Sequence, residues 1–253
     1  MMFKSSRKKL IAIGCSFTEH YLSSTVSPDV DYDFTRWPEH LANMLDMECI
    51  NLGKAGAGND RILAKTLDTT LGLEKKDIGL IVVMWSDWRR VGFQCSRDWD
   101  HWTHITPHEL ETWKVTILKK QNSFHATRNT LRTFIHAEKI LSDLPYMFVQ
   151  GTANLTWNED NWTKNQYSRR IAANEILKSP YLDYIENNIA NKFIGWPIMN
   201  ELGGYSIDDY LNKQDPESIK LRISLDDCHP NAAGHKAIAE FLYDKYKEIY
   251  NED

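Results

Sequence analysis

The stretch from Ile78 to Trp85, IGLIVVMW, runs for eight residues without a charged, amide or hydroxyl side chain. Its apolar character is continuous rather than alternating, and such a strand is buried on both faces, as in a parallel sheet covered by helices. Residues 9 to 14, KLIAIG, repeat that character in a shorter run. The chain must therefore supply helices for both sides of a sheet.

The rest of the sequence supplies them in alternation. After the first strand comes a polar loop, TEHYLSSTVSPDVDYDFTR, and then WPEHLANMLDM, with Trp37, Leu41, Met44 and Leu45 at helical spacing and Pro38 in the first turn. ECINLG reads as a second strand, and AGAGNDRILAKTLDTTLG as a glycine-rich turn feeding a helix. SFHATRNTLRTFIHAEKILSDL is amphipathic, PYMFVQG is a fourth strand, and KFIGWPI supplies a fifth. The closing helix, NAAGHKAIAEFLYDKYKEIY, places Ala237, Ile238, Phe241, Leu242 and Tyr246 on one face. Alternating strands and helices predict an α/β fold of three layers, with a central parallel sheet of about five strands. Residues 1–253 are expected to form a single domain. Two stretches interrupt the rhythm: an aromatic, irregular insertion at about 86–120 and a mostly helical excursion at about 160–192.

Composition narrows the function. With 42% apolar and 26% charged residues, and no apolar run near the ~18 residues a membrane span needs, no membrane partner is expected. A balance of 30 basic against 35 acidic residues gives a charge of −5, which offers no basic field to nucleic acid. Lys4, Arg7, Lys8 and Lys9 precede the first apolar run in the manner of an export signal. Only Leu10 to Ile13 are strongly apolar, however, where a secretory core needs roughly 7 to 15 residues. A cytoplasmic protein is the expectation, with reduced Cys15, Cys49, Cys95 and Cys228, and with the sequons at Asn154 and Asn161 as chance matches. No pair of cysteines has C-x-x-C spacing, so neither a zinc site nor a disulfide framework is signalled.

Ligands of open parallel α/β sheets bind beyond the carboxyl ends of the strands. Gly14, Cys15 and Ser16 lie at such an end, although a serine there equally serves to cap a following helix. The other end of the chain holds DDCHPNAAGHKAIAE, where Asp226 stands three residues before His229. A turn ahead of a helix beginning near Asn231 would let that carboxylate bond one ring nitrogen and leave the other free, as a general base requires. A cysteine nucleophile at position 15 would face away from its neighbour on a strand. His101, His104 and His108, in HWTHITPHELE, lack an H-E-x-x-H pattern and read as surface histidines of an aromatic loop, so no metal site is expected. The α/β-hydrolase arrangement needs a G-x-S-x-G elbow, which GCSFT lacks.

Taken in order, IGCSFT, INLGKAGAGND and DDCHPN resemble the blocks of the SGNH (GDSL-like) hydrolase family, with cysteine where the family usually has aspartate in the first block. The resemblance implies a flavodoxin-like sheet, Ser16 as nucleophile, His229 as base, Asp226 as its orienter, and Gly56 as a backbone oxyanion donor. It departs from this chain at the third block, where G-x-N-D is usual and MWSD stands, placing Ser86 at the position of the oxyanion asparagine. Ser86 or Asn59 could donate instead, and Asn59 could equally stabilise its own turn. The implied activity is a serine esterase removing O-acyl groups from a carbohydrate or another small polar ester, with no cofactor. Trp99, Trp102 and Trp113 are candidate sugar-binding faces, or else a local packing cluster. The competing reading is a binding or structural protein that keeps the fold without the catalysis, as a particle component of a virus or mobile element.

Overall fold

Residues 7–20, 27–94, 102–105, 113, 116, 122–152 and 162–250 are described by the computed structural model, residues 162–168 by their backbone alone. In chain order the elements are β1 (Lys9–Ile13), α1 (Trp37–Met44), β2 (Glu48–Asn51), α2 (Asn59–Gly72), β3 (Ile78–Trp85), β4 (Val91–Gln94) and β5 (Trp102–Ile105). They continue with α3 (Ser123–Leu141), β6 (Tyr146–Gln150), α4 (Trp162–Leu177), α5 (Leu182–Asn188), β7 (Phe193–Ile194), α6 (Ile207–Gln214) and α7 (Ala232–Tyr250).

The main sheet has the order β2-β1-β3-β6-β7, and every pairing in it is parallel. Ile11 lies opposite Ile50 on one side and Ile81 on the other, and Val83 opposite Phe148. All eight residues of β3 are buried, so side chains on both of its faces are covered. This is the flanked parallel sheet expected from the continuous apolar runs. One group of helices packs α1 on α7, and a second packs α2 on α3 and α3 on α4. Trp85, Phe134, Phe148 and Phe193 fill the space between sheet and α3, with ring centroids 4.9 to 5.7 Å apart. Burying side chains of this size contributes about 1.5–3 kcal/mol each relative to leaving them in water.

Two local expectations are corrected. The fifth strand is only Phe193–Ile194, because Gly195 has φ +99 and turns the chain away from the sheet. The stretch from Ser86 onward is not wholly irregular: β4 and β5 pair as an antiparallel hairpin, with Gly92 opposite His104. That hairpin stands against the start of α2. Gly92 N–H donates to Asp60 Oδ2 at 3.3 Å, and a Cβ on Gly58 would lie 3.2 Å from the Arg90 carbonyl.

Candidate active site

Three loops at the carboxyl ends of β1, β2 and β3 meet a fourth that precedes α7. After β1 the chain turns sharply, Thr18 N–H donating to the Cys15 carbonyl at 2.9 Å. Gly14 permits the turn, because a Cβ there would collide with Thr18 Oγ1. Glu19 ties this turn to the loop after β2, accepting from Lys54 Nζ at 2.8 Å and from Ala55 N–H at 2.6 Å. Ser16 sits at the apex, 8% exposed.

His229 reaches Ser16 from the far end of the sequence, its Nε2 lying 2.8 Å from Ser16 Oγ. Its Nδ1 lies 2.6 Å from Asp227 Oδ1, and Phe17 meets the imidazole edge-on at 5.6 Å. The carboxylate at the histidine is therefore Asp227, and the expected Asp226 is exposed instead. The reason is local geometry. Arg222 bridges Pro230 in antiparallel fashion, Ile223 N–H donates to the His229 carbonyl at 2.9 Å, and His229 N–H donates to Asp227 Oδ1 at 3.1 Å, so this tight loop turns the Asp227 carboxylate onto its own histidine.

This segment is held from below. Arg222 Nη1 donates to the Cys228 carbonyl at 2.6 Å, while its Nη2 pairs with Asp208 Oδ1 at 2.8 Å and bonds Asn212 Oδ1 at 2.6 Å. Asp227 is 3% exposed, and its second carboxylate oxygen, Oδ2, is 3.3 Å from the Tyr32 hydroxyl. Tyr32 lies in the polar loop before α1, and its carbonyl is fixed by Arg36 Nη2 at 2.9 Å. Neither Tyr32 nor Arg222 carried any sequence signal. Asp227 did, since DDCH places an acid two residues as well as three before the histidine. Cys15 is fully buried, and burial pushes the Cys228 thiol up to about 12, Asp208 adding to the effect.

Gly56 has φ +74, a conformation that favours glycine, and neither its N–H nor that of Ser16 donates to a backbone carbonyl among the described residues. Ser86 follows β3 and is 1% exposed. Its Oγ is buried and has no hydrogen-bond partner among the described residues. Asn59 braces the Ser86 main chain reciprocally, Oδ1 accepting from Ser86 N–H at 2.9 Å and Nδ2 donating to its carbonyl at 3.4 Å. Gln150 Nε2 adds a bond to the same carbonyl at 3.2 Å.

His104 is not a surface histidine. It lies on β5 over Gly56, where an added Cβ would stand 3.5 Å from its own Cβ. Burial pushes its imidazole down to about 4, helped by the positive charges of Arg61, Arg90 and Lys54. His101, His108 and Trp99 lie outside the described residues. Trp102 is partly buried and packs on its own hairpin, its Cε3 3.3 Å from where a Gly92 Cβ would be, and Trp113 is 50% exposed. Among the described residues no three His, Cys, Asp or Glu side chains converge as metal ligands. The Asp–His–Ser chain can move a proton from a hydroxyl to an imidazole oriented by a carboxylate, which is the chemistry of acyl transfer.

No family model and no curated protein matches the sequence. Structural neighbours are G-D-S-L lipolytic proteins and carbohydrate esterases. A member of the lipolytic protein G-D-S-L family from Veillonella parvula superposes with a TM-score of 0.51 at 17% identity, over 97% of this chain and 100% of that one. A catalytic mutant of Axe2, an acetylxylan esterase from Geobacillus stearothermophilus, gives 0.51 at 11% identity over 95% and 94%. A carbohydrate esterase family 2 enzyme with a carbohydrate-binding domain, from Corynascus thermopiles, gives 0.51 at 13% identity over 99% of this chain and 69% of that one. The chain has the fold of the SGNH hydrolases.

Proposed function

We propose that this protein is a serine esterase, a single cytoplasmic domain that removes an O-acyl group from a carbohydrate or another small polar molecule. The observation that carries the reading is the continuous contact from Asp227 through His229 to Ser16. His229 Nε2 takes the Ser16 proton as Oγ bonds to the ester carbonyl carbon, and Asp227 stabilises the imidazolium that forms. The negative charge on the former carbonyl oxygen is met by the N–H groups of Ser16 and Gly56, with the Ser86 hydroxyl as a third donor. The imidazolium returns its proton to the departing alkoxide as the ester C–O bond breaks, leaving an acyl-serine and a free alcohol. Water then gives a proton to His229 and attacks the acyl carbon, and collapse releases the acid and restores Ser16 Oγ–H. No cofactor enters these steps.

The carbohydrate preference is supported by the esterases among the structural neighbours and by the exposed ring of Trp113. The test is fluorophosphonate labelling with hydrolysis of 4-nitrophenyl acetate, in the natural chain and in Ser16→Ala. Labelling and turnover are expected in the first and absent in the second, with an unchanged thermal midpoint. Labelling of Ser16→Ala refutes the assignment. A second reading, a binding protein that keeps the fold, is favoured by serine standing where the family asparagine is expected. It predicts no labelling of either form.

A further inference from the structure

A cavity of about 400 Å³ lies between the start of α2, the first half of α3 and β4, lined by Asn59, Asp60, Trp88, Arg90, His125 and Asn129 among others. Ser16 and His229 do not line it, yet it adjoins their site, because Asn59 both faces the cavity and holds the main chain of Ser86. Its volume falls in the range of small-molecule sites and suits a ligand the size of a sugar.

The lining has an excess of donors. Trp88 is 4% exposed and its indole N–H has no acceptor among the described residues. Arg90 Nε and Nη1 are buried and likewise without hydrogen-bond acceptors among the described residues, while the Arg90 charge helps to hold the Asp87 carboxyl below its usual range. The nearby acids are already engaged. Asp87 is taken by Arg89, at 2.7 Å from Nη2 and 3.1 Å from Nε. Asp60 accepts from Gly92 N–H and from the Asn129 side chain, and burial pushes its carboxyl up. Thr130 and Thr133 direct their hydroxyls at the Trp88 and Asn129 carbonyls. The first turn of α2 adds the partial positive charge of a 14-residue helix. Buried donors without acceptors are costly, and a cation among them attracts a ligand that brings both acceptors and negative charge.

We propose that this cavity is an anion-binding subsite, taking the carboxylate or phosphate of a small ligand through Arg90 and the Trp88 indole N–H. That the substrate is an ester bearing such a group on its alcohol portion rests on the esterase reading; the binding itself does not.

Calorimetric titration of the natural chain with D-glucuronate, D-glucose 6-phosphate and D-glucose tests it without any ester being cleaved. At least one of the two anions is expected to bind about tenfold or more tightly than glucose, and whichever does so identifies carboxylate or phosphate as the source. Arg90→Gln should abolish the difference, and Arg90→Lys should restore part of it. Trp88→Phe keeps a ring in place, removes the N–H, and should weaken anion binding by about threefold or more. Similar affinity for all three compounds overturns the proposal, as does failure of both anions to bind or an anion preference that survives Arg90→Gln. Should Arg90→Gln lose its fold by circular dichroism, undiminished anion affinity in Trp88→Phe overturns it instead.

Discussion

The hydroxyl of Tyr32 stands 3.3 Å from Oδ2 of Asp227, while His229 Nδ1 meets the other carboxylate oxygen, Oδ1. It is equally 3.3 Å from the Ser27 carbonyl, and one proton can serve only one of them at a time. A hydrogen bond to a buried carboxylate contributes about 1.5–3 kcal/mol, and the length and sharing of this one put it at the low end. Tyr32→Phe is therefore expected to lower kcat by about tenfold with KM unchanged. Turnover equal to the natural chain would show that the hydroxyl serves Ser27 instead.

The choice between the adjacent acids gives a sharper test. Asp227→Asn should cost about 10⁴-fold in turnover, because an amide favours the wrong imidazole tautomer. Asp226→Asn, at an exposed position, should leave turnover and thermal midpoint close to those of the natural chain. Paired kinetics on one aryl ester check both, and the reverse result would move the orienting role to Asp226.

Asn59 and Ser86 should separate stability from rate. Asn59→Ala leaves the buried Ser86 N–H without an acceptor, so a loss of about 1–3 kcal/mol is expected in denaturant unfolding. Ser86→Ala removes a hydroxyl with no described partner, so stability should hold. Its kcat and kcat/KM should fall together, by about 10²-fold at most, if the hydroxyl meets the oxyanion. Unchanged kinetics would leave the backbone donors as the whole oxyanion site.

His104 ties stability to pH. Its folded-state value of about 4 lies below its ordinary 6.5, so between those limits the unfolded chain binds more protons and stability falls as the pH is lowered. The contribution is fully present above pH 6.5 and is lost progressively as pH drops toward 4. His235, fully buried with its Nδ1 accepting from Trp37 N–H at 3.3 Å, is pushed down as well and acts in the same direction. Thermal midpoints recorded from pH 7 to pH 4 should decline, and His104→Gln should flatten the decline in part. An unaltered slope in that variant would place the effect on His235 and the carboxylates.

What the sequence made legible follows from how far each signal reaches. β1 and β3 were readable because burial on both faces writes itself as an unbroken apolar run. Ser16 and His229 were readable because each sits at the end of such an element. The D-x-x-H spacing points to Asp226, whereas the loop closed by the pairing of Arg222 with Pro230 buries Asp227 and turns its carboxylate to His229. That pairing is tertiary and leaves no local trace. The hairpin of β4 and β5 escapes the sequence for a similar reason: VGFQ and WTHI are short, and β4 packs on α2 while β5 pairs with β4 alone rather than with the main sheet. Tyr32 lies in a loop without helical or strand periodicity, so its approach to Asp227 could be found only in three dimensions.

The separation of 213 residues between Ser16 and His229 has a consequence during synthesis. The ribosome makes the hydroxyl 213 residues before its histidine, and α7, which packs on α1, must leave the tunnel before the two can meet. Until then Ser16 has no imidazole beside it, and on the esterase reading the nascent chain cannot attack esters around it. Chains stalled before residue 229 should carry no fluorophosphonate label, and released chains should acquire it; labelling of the stalled chains would show that the serine is armed without its histidine.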